Sequence, residues 1–146
     1  MRTINFIRRS GLFIVALFLV VACGHELPNL IGTWSGEATA ISSAEGIVSG
    51  EKKIIITEQD GTTFRGKVIT RAGEKDILGS IASDNEHFVY VHIGGMGHAE
   101  GRILGSNRLE TCYVNPGDNA VVGCSCLLYT SPSPRDATLS RMPSSA

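Results

Sequence analysis

The stretch Lys53–Thr70, KIIITEQDGTTFRGKVIT, consists of two extended segments around a tight turn. β-branched residues dominate both segments, and such residues favour strands. The Asp-Gly pair at positions 60–61 suits a two-residue hairpin turn. If that pair forms the turn, the side chains that face inward are Ile55, Phe64 and Val68, and the charges face outward. The stretch therefore predicts an antiparallel β-hairpin with one apolar face.

Similar short segments continue on both sides of this hairpin and predict the rest of the fold. The first of them places Trp34, Gly36, Ala38 and Ala40 on one face, a Ser/Gly loop follows at 42–50, and the last strand runs from Ala120 to about Ser125. About eight short strands with short links, and no helical stretch after the leader, predict an all-β, small antiparallel up-and-down meander. A barrel is favoured over a sandwich, because closure removes strand edges and eight strands fit about 100 residues.

The N-terminus predicts export. Residues 1–9 carry three arginines and no acid, and 11–22 are apolar throughout. A basic segment followed by about 7–15 apolar residues is typical of a signal peptide, and it is shorter than the roughly 20 residues of a spanning helix. Two alternatives for this leader are an ordinary secretory signal in which Cys23 occurs by chance, and a plain membrane anchor.

The end of the leader, Val20-Val21-Ala22-Cys23-Gly24, resembles the lipobox of bacterial lipoproteins. That resemblance implies a signal peptide at 1–22, lipidation of Cys23 and a tether at 23–29. It also implies an exported protein, anchored to the cell envelope by its acyl chains. An Asp after the cysteine favours inner-membrane retention in that family, so Gly24 favours the outer membrane in a host with two membranes.

The C-terminal segment, residues 126–146, resembles translated sequencing adapter. Codons chosen for CLLYTSPSPRD, followed by a sample index and the next adapter bases, reproduce every fixed residue up to Ala146. The resemblance predicts a barrel domain at 30–125, truncated at its C-terminus, and a non-native, disordered tail from Cys126 onward. A genuine Ser/Pro-rich disordered tail is the alternative.

Charge argues against nucleic acid as a partner. The leader holds three of the thirteen basic residues and no acid, and 126–146 holds two basic residues and one acid. Eight basic and thirteen of the fourteen acidic residues remain, a net charge of −5 for 23–125. An acidic domain without a basic patch does not suit a phosphate backbone.

Two cysteines of the predicted domain are placed to pair. Cys112 and Cys124 flank the turn-forming cluster Asn-Pro-Gly-Asp-Asn at 115–119. A three-residue loop centred on Asp118 puts them opposite each other on antiparallel strands, near disulfide range. A disulfide is therefore predicted in an oxidising compartment, with free thiols or a metal site as alternatives.

Gly32-Thr33-Trp34 is similar to the Gly-x-Trp opening strand of the avidin and lipocalin barrels. The resemblance implies a barrel. It does not imply biotin binding, because avidins use several tryptophans for biotin and this chain has one. If such a barrel holds a ligand, the candidate cavity residues are Trp34 and Phe64. The alternative is a generic meander in which Trp34 is a core residue. An open apolar cavity there would favour a small ligand, whereas a filled interior with an exposed apolar patch would favour a protein partner.

Three histidines lie close together in sequence and form the one metal candidate. With a Gly94-Gly95-Met96 loop, His92 pairs with His98, and Glu100 stands beside them. Two histidines and a carboxylate suit zinc or copper. The alternate positions, Val89, Val91, Ile93, Ala99, Gly101 and Ile103, are apolar and predicted to face inward, so a solvated outer face without metal is preferred.

No catalytic arrangement emerges, and neither an enzyme nor a cofactor is predicted. Gly-x-Ser-x-Gly does not occur between 23 and 125, and the Gly-rich run at 94–97 joins two strands instead of opening a helix. The sequence therefore predicts an envelope lipoprotein whose barrel binds an unknown ligand. The alternatives are a periplasmic inhibitor or protein-partner module, and a structural envelope protein.

Overall fold

A computed structural model describes residues 26–131, which form a closed eight-stranded antiparallel barrel. Each strand pairs with the next in the chain, and the last returns to the first. The strands are β1 (Gly32–Ser42), β2 (Gly46–Asp60), β3 (Thr63–Thr70), β4 (Gly73–Ile81), β5 (His87–His92), β6 (His98–Ile103), β7 (Arg108–Asn115) and β8 (Val121–Ser131). The predicted all-β meander is confirmed, and it closes as a barrel. Within 26–131, no helix is long and apolar enough to cross a membrane.

The β2–β3 hairpin forms, but in a different register from the predicted one. Its turn is Gly61-Thr62, and an irregularity between Ile56 and Glu58 shifts the pairing by one residue. Since side chains alternate, that shift exchanges the two faces of β2. Ile54 and Ile56 are buried inside the barrel, and the prediction that Ile55 faces inward is wrong. Phe64 and Val68 face inward as predicted.

The Ser/Gly segment at 42–50 is mostly strand. β1 and β2 pair without interruption out to Ser42 and Gly46, leaving only residues 43–45 as a turn. Serine and glycine are weak strand formers, but main-chain hydrogen bonds do not depend on the side chain. Pairing with the long strand β1 therefore extends β2 through this segment. Trp34, Gly36, Ala38 and Ala40 share one face of β1, as predicted, and that face is the interior.

One end of the barrel is filled by the chain that leads into β1. We call it the plugged end, formed by residues 27–31. Leu30 is buried, its N–H donates to Gln59 Oε1 (2.8 Å), and its carbonyl accepts from Trp34 Nε1 (2.9 Å). Gln59 Nε2 in turn donates to the Pro28 carbonyl at 2.9 Å. The segment predicted as a tether through Asn29 is therefore docked from Leu27 onward, because it covers the apolar end of the core.

The last strand continues past Ser125, where the sequence predicted the domain to end. β8 runs to Ser131, pairing with β7 through Leu128 and with β1 through Ser131. Leu127 faces inward and is buried, while Cys126 and Leu128 face outward. The prediction of disorder is therefore wrong for 126–131, because these residues satisfy the open edges of β1 and β7 and place one leucine in the core. Residues 132–146 lie outside the described part, as do the leader and Cys23.

The predicted disulfide is confirmed. Cys112 and Cys124 are directly opposite each other in the β7–β8 register, with their Cα atoms 4.1 Å apart. The loop is centred on Asp118, as the spacing predicted. Both half-cystines lie on the outer face, so the bond ties the two strands together without occupying the core.

Candidate functional site

The barrel holds an internal cavity of about 330 Å³ at the end opposite the plug. We call this the open end, bounded by the β1–β2, β3–β4, β5–β6 and β7–β8 turns. Most of the surface of the cavity is apolar, and it is reached from solvent between those turns. Its walls include Ala38, Ala40, Val48, Val68, Tyr113 and Val121.

Side-chain size explains why the cavity lies at this end. The plugged half is filled by large inward residues, among them Trp34, Phe64, Phe88 and Leu109. Toward the open end the inward positions become small: Ala38, Ala40, Gly50 and Gly123. An eight-stranded barrel is only just wide enough for side chains to fill it, so a cluster of Ala and Gly leaves room for a ligand.

Lys52 is the charged group at the inner end of this cavity. It follows the inward phase of Ile54 and Ile56 on β2, and only 5% of its surface is exposed. Its Nζ donates to Thr111 Oγ1 at 2.7 Å, and Thr111 Oγ1 lies 3.0 Å from Ser125 Oγ. Burial lowers the pKa of Lys52 from 10.5 to about 8. None of the ion pairs within 26–131 includes this ammonium.

The sequence could have indicated Lys52, but the wrong register concealed it. Lysines at 52 and 53 are adjacent, and the predicted inward position of Ile55 implied that the second of them pointed inside. In the structure Lys53 points outward and pairs with Glu51 at 3.0 Å. Lys52 lies in phase with the inward Ile54 and Ile56, and this pattern indicates a buried lysine. The inward direction could be assigned only with the position of the irregularity in β2, which the sequence does not give.

A row of rings lies beside Lys52 on the inner surface. Tyr90 and His92 of β5 stack with centroids 6.0 Å apart, and His92 stacks on Tyr113 of β7 at 4.7 Å. Tyr90 lies 6.0 Å from Lys52 Nζ, measured to the ring centroid. Tyr90 Oη and His92 Nε2 are both buried without a hydrogen-bond partner within 26–131. The inner surface therefore keeps polar atoms that its own side chains do not satisfy.

The two titratable rings are held in their neutral forms. Burial lowers the pKa of His92, and the charges of Lys52 and Lys75 lower it further. Burial raises the pKa of the Tyr90 hydroxyl well above its usual range. At neutral pH both rings are therefore uncharged, and the local charge is that of the lysines.

The predicted grouping of His92, His98 and Glu100 does not form. His98 pairs with Val91, one residue from the predicted partner, because the β5–β6 turn takes a different length. His92 faces the interior, whereas His98 and Glu100 face solvent. No cluster of three metal-ligating side chains occurs among residues 26–131. The prediction that Val89, Val91 and Ile93 face inward is wrong, since all three are exposed. Ala99 and Gly101 are buried and Ile103 packs against the core, as predicted.

Trp34 and Phe64, the predicted cavity residues, lie in the filled half of the barrel. Trp34 is buried against the plug, and Phe64 packs edge-on to Phe88 with centroids 6.1 Å apart. Neither lines the cavity. The prediction of a cavity around them is wrong, because large side chains fill space in a narrow barrel and small ones leave it.

No protein-family model matches the chain, and no curated protein matches it. Among solved structures, the chain is similar to one described as the de novo design of a fluorescence-activating beta barrel. The match has a TM-score of 0.44 and 17% identity, and it covers 68% of this chain and 93% of that one.

Proposed function

We propose that this protein is a lipid-anchored cell-envelope protein whose barrel binds a small ligand in the open-end cavity. The observation that carries the binding role is the cavity itself. Its volume of about 330 Å³ lies at the small end of the range of ligand pockets, about 300–1,000 Å³, and its apolar walls with few polar groups are typical of such sites. The anchoring part rests on the lipobox-like sequence ending at Cys23. Gly24 after the cysteine favours the outer membrane in a host with two membranes, and the net charge of −5 for 23–125 argues against a nucleic-acid partner.

The fold gives this proposal a definite orientation. The chain enters the barrel at the plugged end, and Leu27 is already docked there. Four residues from Cys23 to Leu27 reach at most roughly 14 Å. β1, with eleven residues, spans roughly 25 Å along the barrel axis when tilted. A lipid on Cys23 therefore holds the plugged end next to the membrane and directs the open end away from it.

Filling the cavity tests the binding role. Val48 lines the cavity on β2, and its neighbour Ile47 points outward with 78% of its surface exposed. Val48→Phe is expected to reduce ligand affinity at least about tenfold, since the added ring occupies the ligand's space. Calorimetric titration with short-chain carboxylates and alcohols measures this. Ile47→Phe is the matched control and should leave affinity unchanged; equal binding by both variants would contradict a ligand in the cavity.

An exposed apolar patch supports the second candidate, a protein-partner module. The patch consists of Leu78, Val89, Val91 and Ile93 on the outer face of β4–β5, each with about half of its surface exposed. Leu78 and Val91 are directly paired across the strands. Contiguous exposed apolar surface of this kind marks interaction sites. This candidate predicts that function survives Val48→Phe and is lost on Val91→Lys, the reverse of the pattern for a cavity ligand.

A further inference from the structure

The cavity contains positive charge that no carboxylate compensates. Lys52 lies buried at its inner end, and Lys75 of β4, an exposed residue, lines its wall closer to the open end. The two acids at its edge are already paired: Glu51 with Lys53 at 3.0 Å, and Glu45 with Arg71. Within 26–131 neither lysine of the cavity has an ion-pair partner. A net acidic domain thus buries one unpaired ammonium, that of Lys52, at the inner end of its cavity.

A buried ammonium without a counter-charge is costly to the fold. Its only hydrogen bond within 26–131 goes to a neutral hydroxyl, that of Thr111. Removing a charge from water is unfavourable, and a hydrogen bond to a hydroxyl recovers only part of the lost hydration energy. An apolar residue at this position would avoid the cost. The site is therefore one where an incoming anion recovers electrostatic energy that the protein itself does not recover.

The hydrogen-bonding capacity of the site suits a carboxylate. Lys52 Nζ carries three N–H donors, of which Thr111 accepts one. Two donors remain for a ligand, and charge-assisted bonds of that kind are the strong ones. His92 also lines this cavity, and its buried Nε2 has no hydrogen-bond partner within 26–131. The remaining wall is apolar, which favours a hydrocarbon body on the same ligand.

We propose that the ligand is a short-chain organic carboxylate, with its head group on Lys52 Nζ and its hydrocarbon chain along the apolar wall toward the open end. This inference rests on the proposed binding function. It adds the sign of the ligand's charge, its polarity pattern and its size class. The cavity of about 330 Å³ limits the ligand to a short chain, since pockets near the lower limit of about 300 Å³ hold small molecules.

The first experiment compares ligands that differ only in their head group. Butanoate, hexanoate and octanoate are titrated calorimetrically into the full chain at neutral pH, together with the alcohols and primary amines of the same lengths. At least one carboxylate is expected to bind about tenfold or more tightly than its alcohol, and the amines weakest, because the cavity is basic.

Lys52→Met and Lys53→Met form the matched variant pair. Both remove one lysine from β2, but only Lys52 faces the cavity, and Met keeps most of its stem volume. Lys52→Met is expected to weaken carboxylate binding at least about tenfold and to leave alcohol binding unchanged or tighter. Lys53→Met frees Glu51 at the edge of the cavity but leaves Lys52 in place, so it should keep the preference for carboxylates over alcohols of the same length. Near-ultraviolet circular dichroism confirms that both variants are folded.

Proton linkage provides an independent readout. A carboxylate on Lys52 favours its charged form, so binding slightly above pH 8 should take up protons, and binding near pH 6.5 should not. Lys75 of β4, Tyr90 and His92 of β5 and Tyr113 of β7 also face this region. The pKa of His92 is lowered and those of both tyrosines are raised, so these rings do not titrate there. Titration in buffers of different ionisation enthalpy measures the uptake, which Lys52→Met should abolish.

The outcomes separate the two proposals. If carboxylates bind equally to wild type and Lys52→Met, or alcohols and amines bind as tightly, the charge assignment is overturned while the cavity function stands. If no probe of any head group or length binds the wild type, the small-ligand function itself fails. Selective carboxylate binding that is lost with Lys52 and accompanied by proton uptake supports both.

Discussion

At the scale of single residues, Lys52 shows most clearly that this barrel is not built for stability alone. Ile54 and Ile56 follow it on the inward face of β2, and a third apolar residue would extend that row. The lysine instead holds an ammonium among Thr111, Ser125 and Tyr90. Functional groups are often placed at a cost in stability, and that cost can be measured.

The pH dependence of unfolding should report the burial of Lys52. Its pKa is about 8 in the folded protein and 10.5 when exposed, so below pH 8 both states carry the proton and the folded state bears the full desolvation cost. As pH rises from about 8 toward 10.5 the unfolded state binds more protons, and stability increases by about 3 kcal/mol in total.

Urea denaturation between about pH 7 and about pH 10, below most tyrosine ionisation, measures this effect. Lys52→Met should be more stable than the wild type at neutral pH and should lack the rise. Lys53→Met, on the exposed face, should keep it. A wild type whose stability is flat or falls over this interval, relative to Lys52→Met, would contradict a buried cation.

At the scale of elements, β7 and β8 close the barrel, and the Cys112–Cys124 bond holds them together. Replacing both cysteines by serine should lower the free energy of unfolding by about 3 kcal/mol, because the cross-link restricts the unfolded chain across a short loop. Urea denaturation without reductant measures the loss. Cys126→Ser removes an exposed free thiol and should change stability by less than about 0.5 kcal/mol. Equal stability of the double variant and Cys126→Ser would show that the bond contributes nothing.

The second half of β8 shows how permissive strand pairing is. Residues 126–131 resemble translated adapter, yet they pair with both neighbours and bury Leu127. Backbone hydrogen bonds are independent of side-chain identity, so an alternating segment with an apolar residue inside suffices to close the edge. The non-native origin of 126–146 stays a prediction, and the gene's DNA sequence across codons 125 and 126 tests it.

At the scale of the whole molecule, the plug and the cavity lie at opposite ends of the barrel. The proposed lipid anchor on Cys23 would therefore direct the cavity away from the membrane. When the full chain is expressed in a bacterial host, the wild type should fractionate with membranes and be released by detergent. Cys23→Ser should be soluble or retain its leader, because it lacks the thiol that takes the lipid. Cys126→Ser keeps that thiol and should behave like the wild type. Unchanged membrane partitioning of Cys23→Ser would refute lipid anchoring.

The sequence by itself determined the strand composition, the number of strands and the up-and-down meander, and it favoured closure into a barrel and a bond between Cys112 and Cys124. These features depend on local patterns: β-branched runs, turn residues and a loop centred on Asp118. Tertiary structure alone decided the registers of the β2–β3 and β5–β6 hairpins. Each register differs by one residue from the predicted one. In the first hairpin this places Ile54 and Ile56 in the core in place of Ile55, and in the second it separates His92 from His98. Side chains alternate between the two faces of a strand, so a shift of one residue reverses the direction of every side chain on it. The cavity and its buried lysine are therefore visible only in the closed barrel.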